Sequence, residues 1–153
     1  MGSHRLPASL ALAALALVTG ATSAVSPAAA TATSAAGASI AVGKSRFGPI
    51  LFDGRGYALY VFTSDSRGHA TCYSACAKRW PPYLVKARPV ARNGAKASLV
   101  GVARRKNGQL EATYAGRPLY YYVGDGKGVV LCQNVVEFGG TWLVLRGSGA
   151  LVR

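Results

Sequence analysis

An all-β fold is predicted for this chain of 153 residues: two hairpin-centred repeats sharing one core, sandwich or barrel-like, with one short helix near Cys72 and Cys76. Three observations predict it. Leu59-Tyr60-Val61-Phe62-Thr63-Ser64-Asp65 returns sixty positions later, degenerate, as Leu119-Tyr120-Tyr121-Tyr122-Val123-Gly124-Asp125. Short β-branched and aromatic runs alternate with Gly, Asn and Asp turn signals about every ten residues, as in sandwiches and barrels. The stretch with helical character, Thr71 to Trp80, is short and is stopped by Pro81-Pro82.

The start reads as an export signal over 1–30. His4 and Arg5 form a short positive region, Leu6 to Val18 is apolar, and small residues follow. The apolar run falls short of the roughly 20 residues a membrane span needs, so no transmembrane anchor is expected after processing. Ala24 and Ala30 both fit a cleavage site, and Ala30 is taken as the boundary. Residues 31–39 lack the bulk to pack and read as a flexible lead. A single β-rich domain is expected over 40–153, with repeats at about 46–82 and 105–145 and enough residues for one modest core.

In that domain Ile50 to Phe52, the turn Asp53-Gly54-Arg55-Gly56 and Tyr57 to Phe62 read as a hairpin. Along its second strand Tyr57, Leu59 and Val61 point one way and Ala58, Tyr60 and Phe62 the other, so both faces carry bulk and should be covered. Tyr83 to Ala97 is irregular and basic. Ser98 to Ala103 and Gln109 to Tyr114 flank the turn Lys106-Asn107-Gly108. Ala115-Gly116-Arg117 then turns into an outgoing strand, Pro118 to Val123. Val129 to Cys132, Thr141 to Leu145 and Ala150 to Val152 read as the last strands.

Tyr60-x-Phe62-x-x-Asp65 and Tyr120-x-Tyr122-x-x-Asp125 resemble the signature of a family of bacterial exported proteins and predicted lipoproteins known as secreted repeats of unknown function. Thr71-Cys72-Tyr73-x-x-Cys76-x-x-x-Trp80-Pro81-Pro82 and Tyr114-x-Gly116-x-Pro118-Leu119-Tyr120 are similar to what that family carries around its signatures. The resemblance covers roughly Phe47 to Leu145 and implies export and the repeat fold. It implies no activity. The chain departs from the family in lacking a lipobox cysteine and in placing Cys132 where Gly-Gln is usual.

The chain carries 18 Lys and Arg against five Asp and Glu, a net charge of +13. From Lys78 to Lys106 there are nine basic residues and no acidic one. Such a field favours polyanions, in an exported protein an anionic envelope polymer or a membrane surface, and nucleic acid only generically. Lys78, Arg79, Arg104, Arg105 and Lys106 are the candidate contacts; the plainer alternative is a solvated face.

Three cysteines allow three single pairings. In an exported chain Cys72 with Cys76 is favoured, leaving Cys132 buried as a small apolar residue. The alternative is a metal (copper-like) or thiol redox site using His69, Cys72 and Cys76, a soft ligand set short of ligands. Asp65 and Asp125 invite an acid–base pair, but each is followed by a glycine turn whose N–H groups its carboxylate can accept. Tyr121 with Tyr83 or Tyr73 offers a stacking platform for sugars or bases. There is no recognisable catalytic constellation. The sequence therefore reads as a non-enzymatic, secreted binding or structural protein of the cell envelope.

Overall fold

The computed structural model describes residues 1–2 and 37–153. The signal and most of the lead fall outside the described residues. The chain divides into units Met1–Thr33 and Ser34–Arg153, and every described strand belongs to the second.

Among the described residues ten strands, one α-helix and one 3-10 turn succeed one another: β1 (Ser39–Gly43), β2 (Ile50–Asp53), β3 (Tyr60–Phe62), α1 (Ala75–Arg79), β4 (Leu84–Val85), β5 (Val90–Arg92), a 3-10 turn (Ala97–Leu99), β6 (Val100–Arg104), β7 (Leu110–Tyr114), β8 (Arg117–Pro118), β9 (Val135–Glu137) and β10 (Gly140–Val144). They form small sheets ordered β2-β1-β5, β3-β10-β9 and β4-β7-β6, with β8 also paired to β7. All pairings are antiparallel except β1 with β5. The arrangement is sandwich-like and not a closed barrel.

The alternation expected at the first hairpin is what divides the core. Ala58, Tyr60 and Phe62 enter one apolar cluster with Trp80, Tyr120, Trp142 and Val144, whereas Leu59 and Val61 enter another with Ile40, Leu51, Leu119, Leu143 and Leu145. A strand with period-two alternation of large side chains thus holds two cores apart. The register Trp142↔Phe62, Leu143↔Val61, Val144↔Tyr60 continues the same sorting on β10.

Some expectations change. The helix spans only Ala75–Arg79, because upstream backbone groups are engaged elsewhere: Thr71 N–H donates to Asp65 and the Cys72 carbonyl accepts from Arg105. Ser74, at φ 51°, then turns the chain into the helix, which ends at Trp80 before the two prolines. Val129 to Cys132 is not a strand. Its neighbourhood serves turns instead, with Gly128 N–H bonded to Gly56 O and Leu131 N–H bonded to Asp125, and the strand falls at β9. The last predicted strand is a single bridge, Leu145↔Leu151, and the strand expected over Pro118 to Val123 is the two-residue β8 followed by bridges from Tyr120. Strands β4 and β5 lie in the basic segment read as irregular.

Candidate functional site

The two signatures meet at the centre of the molecule. Tyr60 and Tyr120 form an antiparallel bridge in which each N–H donates to the other's carbonyl at 2.9 Å. Their hydroxyls then cross over. Tyr60 Oη donates to Asp125 Oδ2 at 2.6 Å, and Tyr120 Oη donates to Asp65 Oδ2 at 2.7 Å. The remaining carboxylate oxygens serve the adjoining turns: Asp65 Oδ1 accepts from Thr71 N–H and Oγ1–H, and Asp125 Oδ1 accepts from Leu131 N–H. Gly68 N–H to Gly116 O and Gly128 N–H to Gly56 O, both 2.8 Å, repeat the exchange one turn away. Each signature is therefore completed by the other repeat.

Chemically this arrangement holds charge in place. Burial, reinforced by the facing carboxylates, raises the phenol pKa values of Tyr60 and Tyr120 well above the ordinary tyrosine range. Burial also raises Asp125, against the hydrogen bond from Tyr60, which lowers it. With each carboxylate engaged by a phenol and by its own turn, the pair acts as a clasp between repeats.

Behind the clasp the two tryptophans stack, ring centroids 4.0 Å apart and planes within 1°. Tyr60 meets Trp80 edge-on and Tyr120 meets Trp142 edge-on, each at 5.2 Å. Phe62 lies flat on Trp142 at 4.3 Å while Tyr122, its counterpart, leans on Trp80 at 4.9 Å. Aromatic pairs of this geometry add to area burial.

Cys72 and Cys76 form a disulfide with Cα atoms 5.3 Å apart, and Cys132 is a free, half-buried thiol packed beside the tryptophan core. The bend at Tyr73 and Ser74, where Ser74 takes φ 51° and Cys76 N–H donates to Tyr73 O, brings the pair within bridging distance at the entrance to α1. In this state the sulfurs are bonded to each other, and His69 lies exposed on the preceding turn. No group of three His, Cys, Asp or Glu side chains is placed to hold a metal ion among the described residues.

The candidate anion contacts separate into surface and interior. Arg105 is only 4% exposed, so it is not part of a basic face. Its guanidinium donates to Glu111, which is fully buried, and to the Cys72 carbonyl at 2.6 Å, and it lies 4.3 Å from the Tyr73 ring centroid. Burial raises the Glu111 carboxyl to about 7 even though Arg105 beside it pulls it down. The side-chain alternation that turns Arg104 and Lys106 outward turns Arg105 in. Lys106 N–H donates to Tyr73 Oη at 3.1 Å, and its ammonium sits 5.5 Å from the same ring. Lys78 and Arg79 are exposed on α1, five and six positions on from Tyr73. Arg79 pairs with Glu137 at 3.7 Å. Lys78, Arg104 and Lys106 face no carboxylate among the described residues.

A second group does not stand out in the sequence as a cluster. Asp53, in the first hairpin turn, is 4% exposed and accepts from Arg55 Nε, Tyr121 Oη and the N–H groups of Arg55 and Tyr57. Tyr121 and Tyr83, expected as a stacking platform, do lie together with centroids 5.3 Å apart, while Tyr73 stands in the disulfide region. The signal available was Asp53-Gly54-Arg55-Gly56, legible as a turn but not as a cluster.

No described helix is long and apolar enough to cross a membrane. No curated protein and no solved structure matches the chain at a significant level. The model of one family, described as a secreted repeat of unknown function, matches twice, over residues 41–83 and 101–146, which correspond to the two clasped halves. The chain is thus an extracytoplasmic protein belonging to the family of secreted repeats of unknown function.

Proposed function

We propose that the protein is a binding or structural component of the cell envelope that holds an anionic polymer on a basic patch formed by Lys78, Arg104 and Lys106, with Arg79 at its edge. The observation that supports this reading is Tyr73. It precedes α1, and its ring and hydroxyl dock the β6–β7 turn 33 residues away, so basic residues from two distant runs converge on one segment. Arg105 and the disulfide brace this junction from inside. Lys78, Arg104 and Lys106 pair with no carboxylate among the described residues, and convergent exposed cations raise the local potential more than the same charges spread over a surface.

Charge reversal of Lys78, Arg104 and Lys106 to Glu should abolish retention of the secreted protein on isolated anionic cell-wall material at low salt, with near-ultraviolet circular dichroism unchanged. Retention of the native chain should fall as salt shortens the screening length from about 10 Å at 0.1 M. Retention that survives both the reversal and salt would contradict the reading.

A further inference from the structure

The β2-β1-β5 sheet carries a trough that the basic patch does not use. Along β1, Ile40 is buried in one core and Val42 packs against it, so Ser39, Ala41 and Gly43 face the other way. All three are small, which leaves the middle strand lower than its flanks. Register sets those flanks: Ala41 pairs with Phe52 on one side and with Arg92 on the other, so both share its face. The smallness is demanded locally. A Cβ at position 43 would lie 2.8 Å from the Phe52 ring, and one at position 54 would lie 2.4 Å from Ser39 Oγ. The resulting open cleft has a volume of about 840 Å³, within the range of small-ligand sites.

Its walls combine aromatic surface and positive charge. Tyr121 is half-exposed and rigidly held, by its hydroxyl bond to Asp53 at 3.0 Å, by Tyr83 and by Tyr57 edge-on at 6.5 Å. Lys44 and Arg92 stand exposed at the cleft and face no carboxylate among the described residues. The acid that lines the cleft, Asp53, is consumed by its four bonds, two of them to Arg55. The strand forming the floor has hydrogen-bonded neighbours on both sides, so an extended peptide cannot add to it as a further strand.

We infer that this cleft is a binding site for an acidic saccharide chain that runs along the trough and past the Asp53 turn to Tyr121 at its end, its carboxylates meeting Lys44 and Arg92. A sugar ring presents an apolar face to an aromatic wall and hydroxyls to the strand and turn backbone, and it needs no free sheet edge. The site is independent of Lys78, Arg104 and Lys106, and a failure of either proposal leaves the other standing.

The test is titration of the isotope-labelled secreted protein with trigalacturonic acid, neutral maltotriose and inorganic phosphate, read by amide chemical shifts. The acidic trisaccharide should shift Ala41, Arg92 and Tyr121 selectively and bind at least about ten-fold more tightly than the other two probes. Ala41→Trp, which fills the trough, should weaken it by about ten-fold or more, and so should Lys44→Glu with Arg92→Glu at exposed positions that leave the core untouched. Lys78→Glu with Lys106→Glu should not change it. Equal binding of maltotriose would remove the role of the cations, and equal binding of phosphate would reduce the site to a simple anion contact. Either result overturns the inference, as does full affinity in the Lys44 and Arg92 double variant, which decides the matter if Ala41→Trp does not fold.

Discussion

The two repeats share a clasp and differ in the segment beyond it. After Asp65 the chain runs six residues to Thr71, whose N–H returns to the carboxylate, and after Asp125 it runs six to Leu131, which does the same. The next residues are Cys72 and Cys132, again sixty apart. There the halves diverge. Cys72 is tied to Cys76 and leads into α1 and the basic patch, whereas Cys132 is unpaired and leads, past Asn134 at φ 60°, into the edge strand β9. What the repeats share locks them together; what the first repeat alone possesses organises the convergent charges. The difference separates the clasp, common to both repeats, from the disulfide junction, where the proposed basic patch lies in the first repeat alone.

The largest expected effect lies at that junction. Arg105→Met should destabilise the protein by about 3–5 kcal/mol in chemical denaturation, because Glu111 would remain buried without its counter-charge. Adding Glu111→Leu should recover most of the loss, since a buried ion pair replaced by apolar residues is often neutral. A small effect of Arg105→Met would show that this side of the molecule is not held from inside.

A smaller effect sharpens the contrast between the cysteines. Replacing Cys72 and Cys76 together by Ser should cost about 2 kcal/mol, the value expected for so short a closed loop, and should weaken retention on anionic wall material by loosening Tyr73. Cys132→Ser at the equivalent place should change stability by less than about 1 kcal/mol and leave retention unchanged. Equal responses would contradict the proposed asymmetry between repeats.

The sequence carried the architecture further than the site. Large residues at alternating positions were enough to foretell that β3 is covered on both faces, because side-chain direction in a strand follows from period alone, but not that the one expected core is divided into two clusters by that strand. The reciprocal crossing of Tyr60 to Asp125 and Tyr120 to Asp65 was not legible, since turn-capping within one repeat and bonding across to the other call for the same residues. Arg105 was grouped with its exposed neighbours because a charge run shows no inside until Glu111, six residues on across the turn, is brought opposite it. Strands β4 and β5 were hidden by their length and by their basic surroundings, and β9 by the glycine-rich link before it. Lys44, Arg92 and Tyr121 come from separate segments, and only the folded chain gathers them at one cleft.

Neither repeat is complete without the other, and two double-mutant cycles test this most directly. One uses Tyr60→Phe with Asp125→Asn and the other Tyr120→Phe with Asp65→Asn, each read as unfolding free energy. The clasp predicts coupling of about 1.5–3 kcal/mol within each pair, the range for hydrogen bonds to a charged acceptor between contacting residues. Effects that add to within about 0.3–0.5 kcal/mol in both cycles would mean that the crossed pairs do not join the repeats.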